Sequence, residues 1–149
     1  MPPRRCVRLI SLVPHVEESR FRVRYAETDQ MGVVYHANYL VWCEVGRTDY
    51  IRRFGLSYAE MERRGLQLAV ADAALRFLAP ARYDDPVVVR TRLTAVKSRA
   101  LAFGYEIRHG ETDARLVEAT TQLVALDASR RLTVLWPDLR ALLEAEVLP

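Results

Sequence analysis

An α+β architecture, with one long antiparallel sheet curled around a single apolar helix, is predicted for this chain by three features of its sequence. The hydrophobic period changes near Asn38 from alternation to spacings of three and four residues. From Leu66 to Leu126 four long strand-like segments follow one another with no helical pattern among them. The one long helix has an apolar surface that covers two adjacent faces, so it asks to be wrapped by a sheet instead of resting on one.

The chain opens with "MPPRRCVRLISLVPHVEES". Arg4 and Arg5 precede an apolar run that Arg8 breaks and Pro14 ends, without a small-residue cleavage site, so a secretory leader is not indicated. Residues 1–18 read as a ragged extension outside the fold, and residues 19–149 as a single domain. "FRVRYAE" then alternates Phe21, Val23 and Tyr25 against Arg22 and Arg24, the pattern of a half-buried strand. From Asn38, the residues Leu40, Cys43, Arg47, Ile51 and Phe54 fall on one side of a helix, with Tyr39, Trp42, Gly46 and Tyr50 on the adjacent side. Gly55 stops it. Gly46 inside that helix costs about 1 kcal/mol of propensity, which points to close approach of a neighbouring backbone.

Ser57 and Glu60 stand at capping-box spacing and begin a short second helix that Gly65 ends. "LQLAVADAALRFLAP" and "PVVVRTRLTAV" are strands. So is "ALAFGYEIR", with Leu101, Phe103, Tyr105 and Ile107 on one face, and "RLVEATTQLVAL" is the last. The intervening turns, "ARYDDP", "VKSRA" and "HGETDA", are short and predict consecutive antiparallel neighbours. A helix from Pro137 to Glu146 closes the chain.

Composition narrows the function classes. Half of the 149 residues are hydrophobic and 28% are charged, which excludes a disordered chain. The 22 basic and 19 acidic residues leave a net charge of +3, too small to argue for nucleic acid but suited to an anionic small molecule. Cys6 and Cys43 are too few for a disulfide framework, so a cytoplasmic setting is expected. No segment approaches the ~20 apolar residues of a membrane span. Histidines and cysteines share no metal-ligand spacing, and no cofactor is expected. There is no Gly-x-Ser-x-Gly elbow, phosphate loop or dinucleotide motif.

The chemistry concentrates in "YAETDQMGVVYHANY". Asp29 lies seven residues before His36, with Gly32 between them to turn the loop and a helix start just beyond. Such a helix start offers unpaired N–H groups and partial positive charge, suited to a developing oxyanion. By spacing alone, Asp29 reads sooner as a turn cap than as a catalytic group, and Glu27 as a surface charge. Glu44 reads as a solvated helix residue, and Tyr35 and Tyr39 as core aromatics.

These residues carry a family resemblance. "YAETDQMGVVYHANYLVWCEVGRTDYI", "LRFLAPARYDDPVVV" and "KSRALAFGYEI" resemble the hotdog-fold acyl-CoA thioesterases of the 4-hydroxybenzoyl-CoA thioesterase type, over about residues 20–140. The resemblance implies that Asp29 carries catalysis, that the backbone N–H at His36 polarises the thioester carbonyl, and that Glu44 is the acid of the following helix. It also implies an acyl-CoA substrate. Gly32 and Tyr35 are taken as substrate-binding residues, and Lys97, Ser98, Arg99, Arg130 and Arg131 would hold its phosphates across a subunit boundary. A homodimer or homotetramer is expected, with "VVVRTRL" as the edge-capable strand. An ionised carboxylate is a weak base and a thiolate leaves easily, so attack by Asp29 is favoured over activation of water. Two other readings compete. One is a hydratase or dehydratase using His36 and Glu44, and the other is a non-catalytic acyl-CoA-binding module.

Overall fold

The structure, a computed structural model, describes residues 14–147. Its elements are β1 (Glu17–Arg22), α1 (Asn38–Arg52), α2 (Tyr58–Arg63), β2 (Gln67–Phe77), β3 (Pro86–Val96), β4 (Ala100–His109), β5 (Arg115–Leu126) and α3 (Pro137–Glu144). Five strands form one antiparallel sheet in the order β1-β3-β4-β5-β2. This is the hotdog arrangement that the sequence predicts. Phe103, Ile107, Val117 and Leu123 line its concave face and are fully buried, as are Trp42, Tyr50 and Ile51 of α1.

The four residues read onto one face of β4, Leu101 to Ile107, are all buried. α1 packs against β3, β1 and β4. Its middle comes so near the sheet that a Cβ built on Gly46 would overlap Thr91 Oγ1 and lie 3.0 Å from Val89 Cγ1. The close neighbour predicted for Gly46 is therefore a pair of β3 side chains rather than backbone. Gly55 follows α1 at φ +71°, a conformation that side chains disfavour. Ser57 caps α2 by accepting the Glu60 N–H at 3.1 Å.

Four expectations need correction. The first strand begins at Glu17, four residues before Phe21, so the boundary at residue 18 falls inside the sheet; residues 1–13 lie outside the described residues. Ser19 hid this strand: a polar side chain turned inward, it donates to Asp49 on α1 at 2.6 Å. The strand also stops at Arg22, and Tyr25–Glu27 form a single 3₁₀ turn. The third correction concerns order. β2 and β3 are not neighbours, because the link at 78–85 carries the chain past β5 and β4, and β2 pairs with β5. Last, "VVVRTRL" is not an edge, since β1 and β4 flank β3 and the free edges belong to β1 and β2. No helix among the described residues is long and apolar enough to cross a membrane.

Candidate active site

Between β1 and α1 the chain folds into a small hairpin. Thr28 and Val34 form an isolated antiparallel bridge, and the Asp29 N–H donates to Val33 O at 2.9 Å. At its tip the Asp29 carbonyl accepts the Gly32 N–H at 3.0 Å and its Oδ1 accepts the Met31 N–H at 2.9 Å. Gly32 sits at φ +76°, so the turn depends on glycine there. Asp29 is half-buried, and Oδ2 has no donor among the described residues. Oδ1 is thus held by the turn, and Oδ2 carries no hydrogen bond among the described residues.

The returning arm leads into α1. Its N–H groups at Val34 and Tyr35 are spent on Ala81 O at 2.9 Å and Glu27 O at 2.8 Å. Those at Asn38, Tyr39 and Leu40 turn back onto Tyr35, His36 and Ala37. The N–H groups of His36 and Ala37 donate to nothing among the described residues. They are the open donors at the positive end of the helix. The His36 imidazole is exposed, tilted against Tyr35 with ring centroids 4.5 Å apart and edge-on to Phe77 at 6.3 Å. Tyr39 beneath is buried, and its hydroxyl accepts the Ala81 N–H at 3.4 Å. Tyr35, which spacing alone read as a core aromatic, is 46% exposed.

Residues 23–145 match the thioesterase-like superfamily. The chain belongs to that superfamily. The putative acyl-CoA thioesterase YneP of Bacillus subtilis is 41% identical over 115 residues, which are 76% of this chain and 81% of YneP. The acyl-CoA thioester hydrolase YbgC of Escherichia coli is 33% identical over 106 residues, covering 71% and 78% of the two chains. Among solved structures, a DHNA-CoA thioesterase from Staphylococcus aureus superposes with a TM-score of 0.81 at 33% identity, over 87% of each chain.

Within this thioesterase-like chain the remaining candidates lie apart. Glu44 is exposed, six residues into α1 and about 9 Å down the axis from its first residue. Lys97, Ser98 and Arg99 form the β3–β4 turn, and Arg130 and Arg131 follow β5. All five are exposed. The structure does gather them at one end of the sheet. Arg99 O accepts the Ala125 N–H at 2.9 Å, and Ser98 O accepts the Leu135 N–H at 2.8 Å. Asp127 Oδ1 shapes the loop by accepting the N–H groups of Ser129 at 2.8 Å and Arg131 at 3.0 Å. That end is opposite the Asp29 hairpin, which bonds to the link preceding β3. Eleven residues of β3 separate the two, a run of about 35 Å.

Sequence reasoning missed Glu27, whose carboxylate is buried and not on the surface. Oε2 accepts the Trp42 Nε1–H at 2.6 Å, and Oε1 accepts the Arg24 N–H at 2.8 Å and Nε–H at 3.1 Å. Burial raises its pKa, but the hydrogen bonds from Arg24 and Trp42 outweigh burial and hold it below the ordinary carboxylate range. The one sequence signal was the spacing of Arg24 and Glu27, three residues apart at the start of a turn. Among the described residues no group of three or more His, Cys, Asp or Glu side chains gathers to hold a metal ion.

Proposed function

We propose that this protein hydrolyses acyl-CoA thioesters to a free acid and CoA in the cytoplasm, with Asp29 as the nucleophile. The observation that carries the proposal is the Asp29 hairpin: a carboxylate with one oxygen pinned by Met31 and one free, at the end of α1 where two N–H groups stand open. Oδ2 attacks the thioester carbonyl carbon, and the resulting oxyanion is received by the N–H of His36, with that of Ala37 beside it. Collapse breaks the C–S bond. The CoA thiolate leaves and takes a proton from solvent, and the acyl group remains on Asp29 as a mixed anhydride. Water then hydrolyses the anhydride, giving the carboxylic acid and restoring the Asp29 carboxylate.

The distance between the hairpin and the basic turns supports a composite site. Apolar side chains stay exposed on β2 and the link after it (Val70, Phe77 and Leu78) and on α1 (Leu40 and Val41). β2 is also a free edge. Two copies joined antiparallel along β2 would set the Phe77 end of one beside the Gln67 end of the other. Gln67 pairs with Leu126, so that end carries Lys97–Arg99 and Arg130–Arg131. The partner's Lys97, Arg99, Arg130 and Arg131 would then hold the CoA phosphates for the Asp29 of this chain, as Arg and Lys chemistry suits. Glu44, exposed on α1, is proposed as the second acid of the site.

Thiol release from acyl-CoA tests the proposal. Asn at position 29 keeps an oxygen for the Met31 N–H, so Asp29→Asn should fold like wild type and lose activity by about 10²-fold or more. Hydroxylamine should trap the acyl group as a hydroxamate during wild-type turnover. Unchanged release by Asp29→Asn would dismiss the assignment, and CoA binding without any turnover would favour the binding-module reading.

A further inference from the structure

Resting on the assignment of Asp29, we infer that Glu27 is a positioning residue for hydrolysis, its buried carboxylate setting where Asp29 stands relative to the open N–H groups of His36 and Ala37. Glu27 is bonded to the turn that enters the hairpin, to its returning arm and to the helix behind it. Its carboxylate closes the turn that feeds the outgoing arm, through the Arg24 N–H and Nε–H. Asp29 follows two residues later. The Glu27 backbone carbonyl accepts the Tyr35 N–H, from the returning arm that carries His36, and the Nδ2–H of Asn38 at the start of α1, both at 2.8 Å.

The anchor behind it is buried. Trp42 is fully buried, its ring edge-on to Phe21 at 5.3 Å and to Tyr39 at 4.9 Å, so the 2.6 Å bond from Nε1 ties the entry of the hairpin to a closely packed part of α1. Three donors converge on two oxygens, and only an acceptor-only side chain satisfies them all. Glutamine would turn an amide N–H₂ toward either Trp42 or Arg24. A shift of about 1 Å at reacting groups is worth about 10²-fold in rate, which is the sensitivity that a support of this kind protects.

The experiment measures kcat and KM for thiol release from acyl-CoA, alongside thermal melts. The proteins compared are wild type, Glu27→Gln, Trp42→Phe, Asp29→Asn and the Glu27→Gln/Asp29→Asn double variant. Glu27→Gln is expected to lower kcat by about 10- to 100-fold with KM within about twofold. Trp42→Phe keeps an aromatic ring at a buried position but removes the donor together with the rest of the indole; with the melts accounting for the lost packing, it should reproduce part of that loss even where Glu27→Gln folds poorly. In the Asp29→Asn background the Glu27 change should cost no more than about twofold, because no nucleophile remains to be positioned. An unchanged kcat in both Glu27→Gln and Trp42→Phe, with Asp29→Asn inactive, would overturn the inference and leave the catalytic assignment standing. So would a full additional loss in the double variant, which would mark a purely structural role. Full activity in Asp29→Asn would instead remove the reading beneath it.

Discussion

Asp29 and Glu27 are two residues apart and chemically almost the same, yet their surroundings put them to opposite uses. Asp29 keeps one oxygen free, whereas every contact of Glu27 is taken by a donor. The difference has a consequence for pH. A carboxyl whose pKa is lower in the folded chain contributes stability above its unfolded value, and loses it as the pH falls through the lower folded value. For Glu27 the unfolded value is near the ordinary 4.5 and the folded one lies below it. Urea melts should therefore show a constant stability gap between wild type and Glu27→Gln at neutral pH that closes as the solution is made more acidic than about pH 4.5. A gap that widens on acidification would contradict the hydrogen-bonded, ionised state. Cys43 behaves differently again: burial, opposed by the nearby Arg47 charge, pushes its thiol up to about 12, so it packs as an apolar group.

At the scale of elements, the contact between α1 and β3 governs how deeply the helix sits. Alanine at position 46 would gain about 1 kcal/mol of helix propensity. However, its methyl would overlap Thr91 Oγ1, and overpacking of this kind costs about 1–3 kcal/mol. The overlap should win, so Gly46→Ala is expected to lower the unfolding free energy in urea. Thr91 Oγ1 is buried without a hydrogen-bond partner, so Thr91→Ala removes the clash and an unsatisfied hydroxyl together. The double variant Gly46→Ala/Thr91→Ala should recover much of the loss. Simple additivity of the two changes would show that the helix relieves the clash by moving.

For the whole molecule, the two halves of the proposed site lie at opposite ends of one sheet, and that asks for a second copy. Sedimentation should give a dimer or a multiple of it at micromolar concentration. A sharper check mixes two inactive proteins, Asp29→Asn and a variant with Arg99 and Arg131 changed to Ala. In a mixed dimer with composite sites, one site keeps both an intact Asp29 and an intact basic end, so part of the wild-type kcat/KM should return on mixing. If each site were built within one chain, mixing would restore nothing.

Much of this protein was legible one residue at a time. The alternation of β3, β4 and β5, the period change at Asn38, the glycine stops and the Ser57 cap are local patterns, and local backbone geometry obeys them directly. The turn at Asp29 and Gly32 and the helix start near Asn38 were visible for the same reason, since a turn and a helix end are decided within a few residues, whereas a catalytic use for Asp29 came only from the family resemblance. Partnership was not visible. Nothing in "YAET" says that Trp42, fifteen residues on, will donate to Glu27, or that Ser19 will turn inward to Asp49. Nor does the short link at 78–85 announce that β2 crosses to the far edge to pair with β5. Those outcomes depend on which surfaces the curled sheet brings together, and a buried polar group takes its role from the donors that the folded chain sets around it.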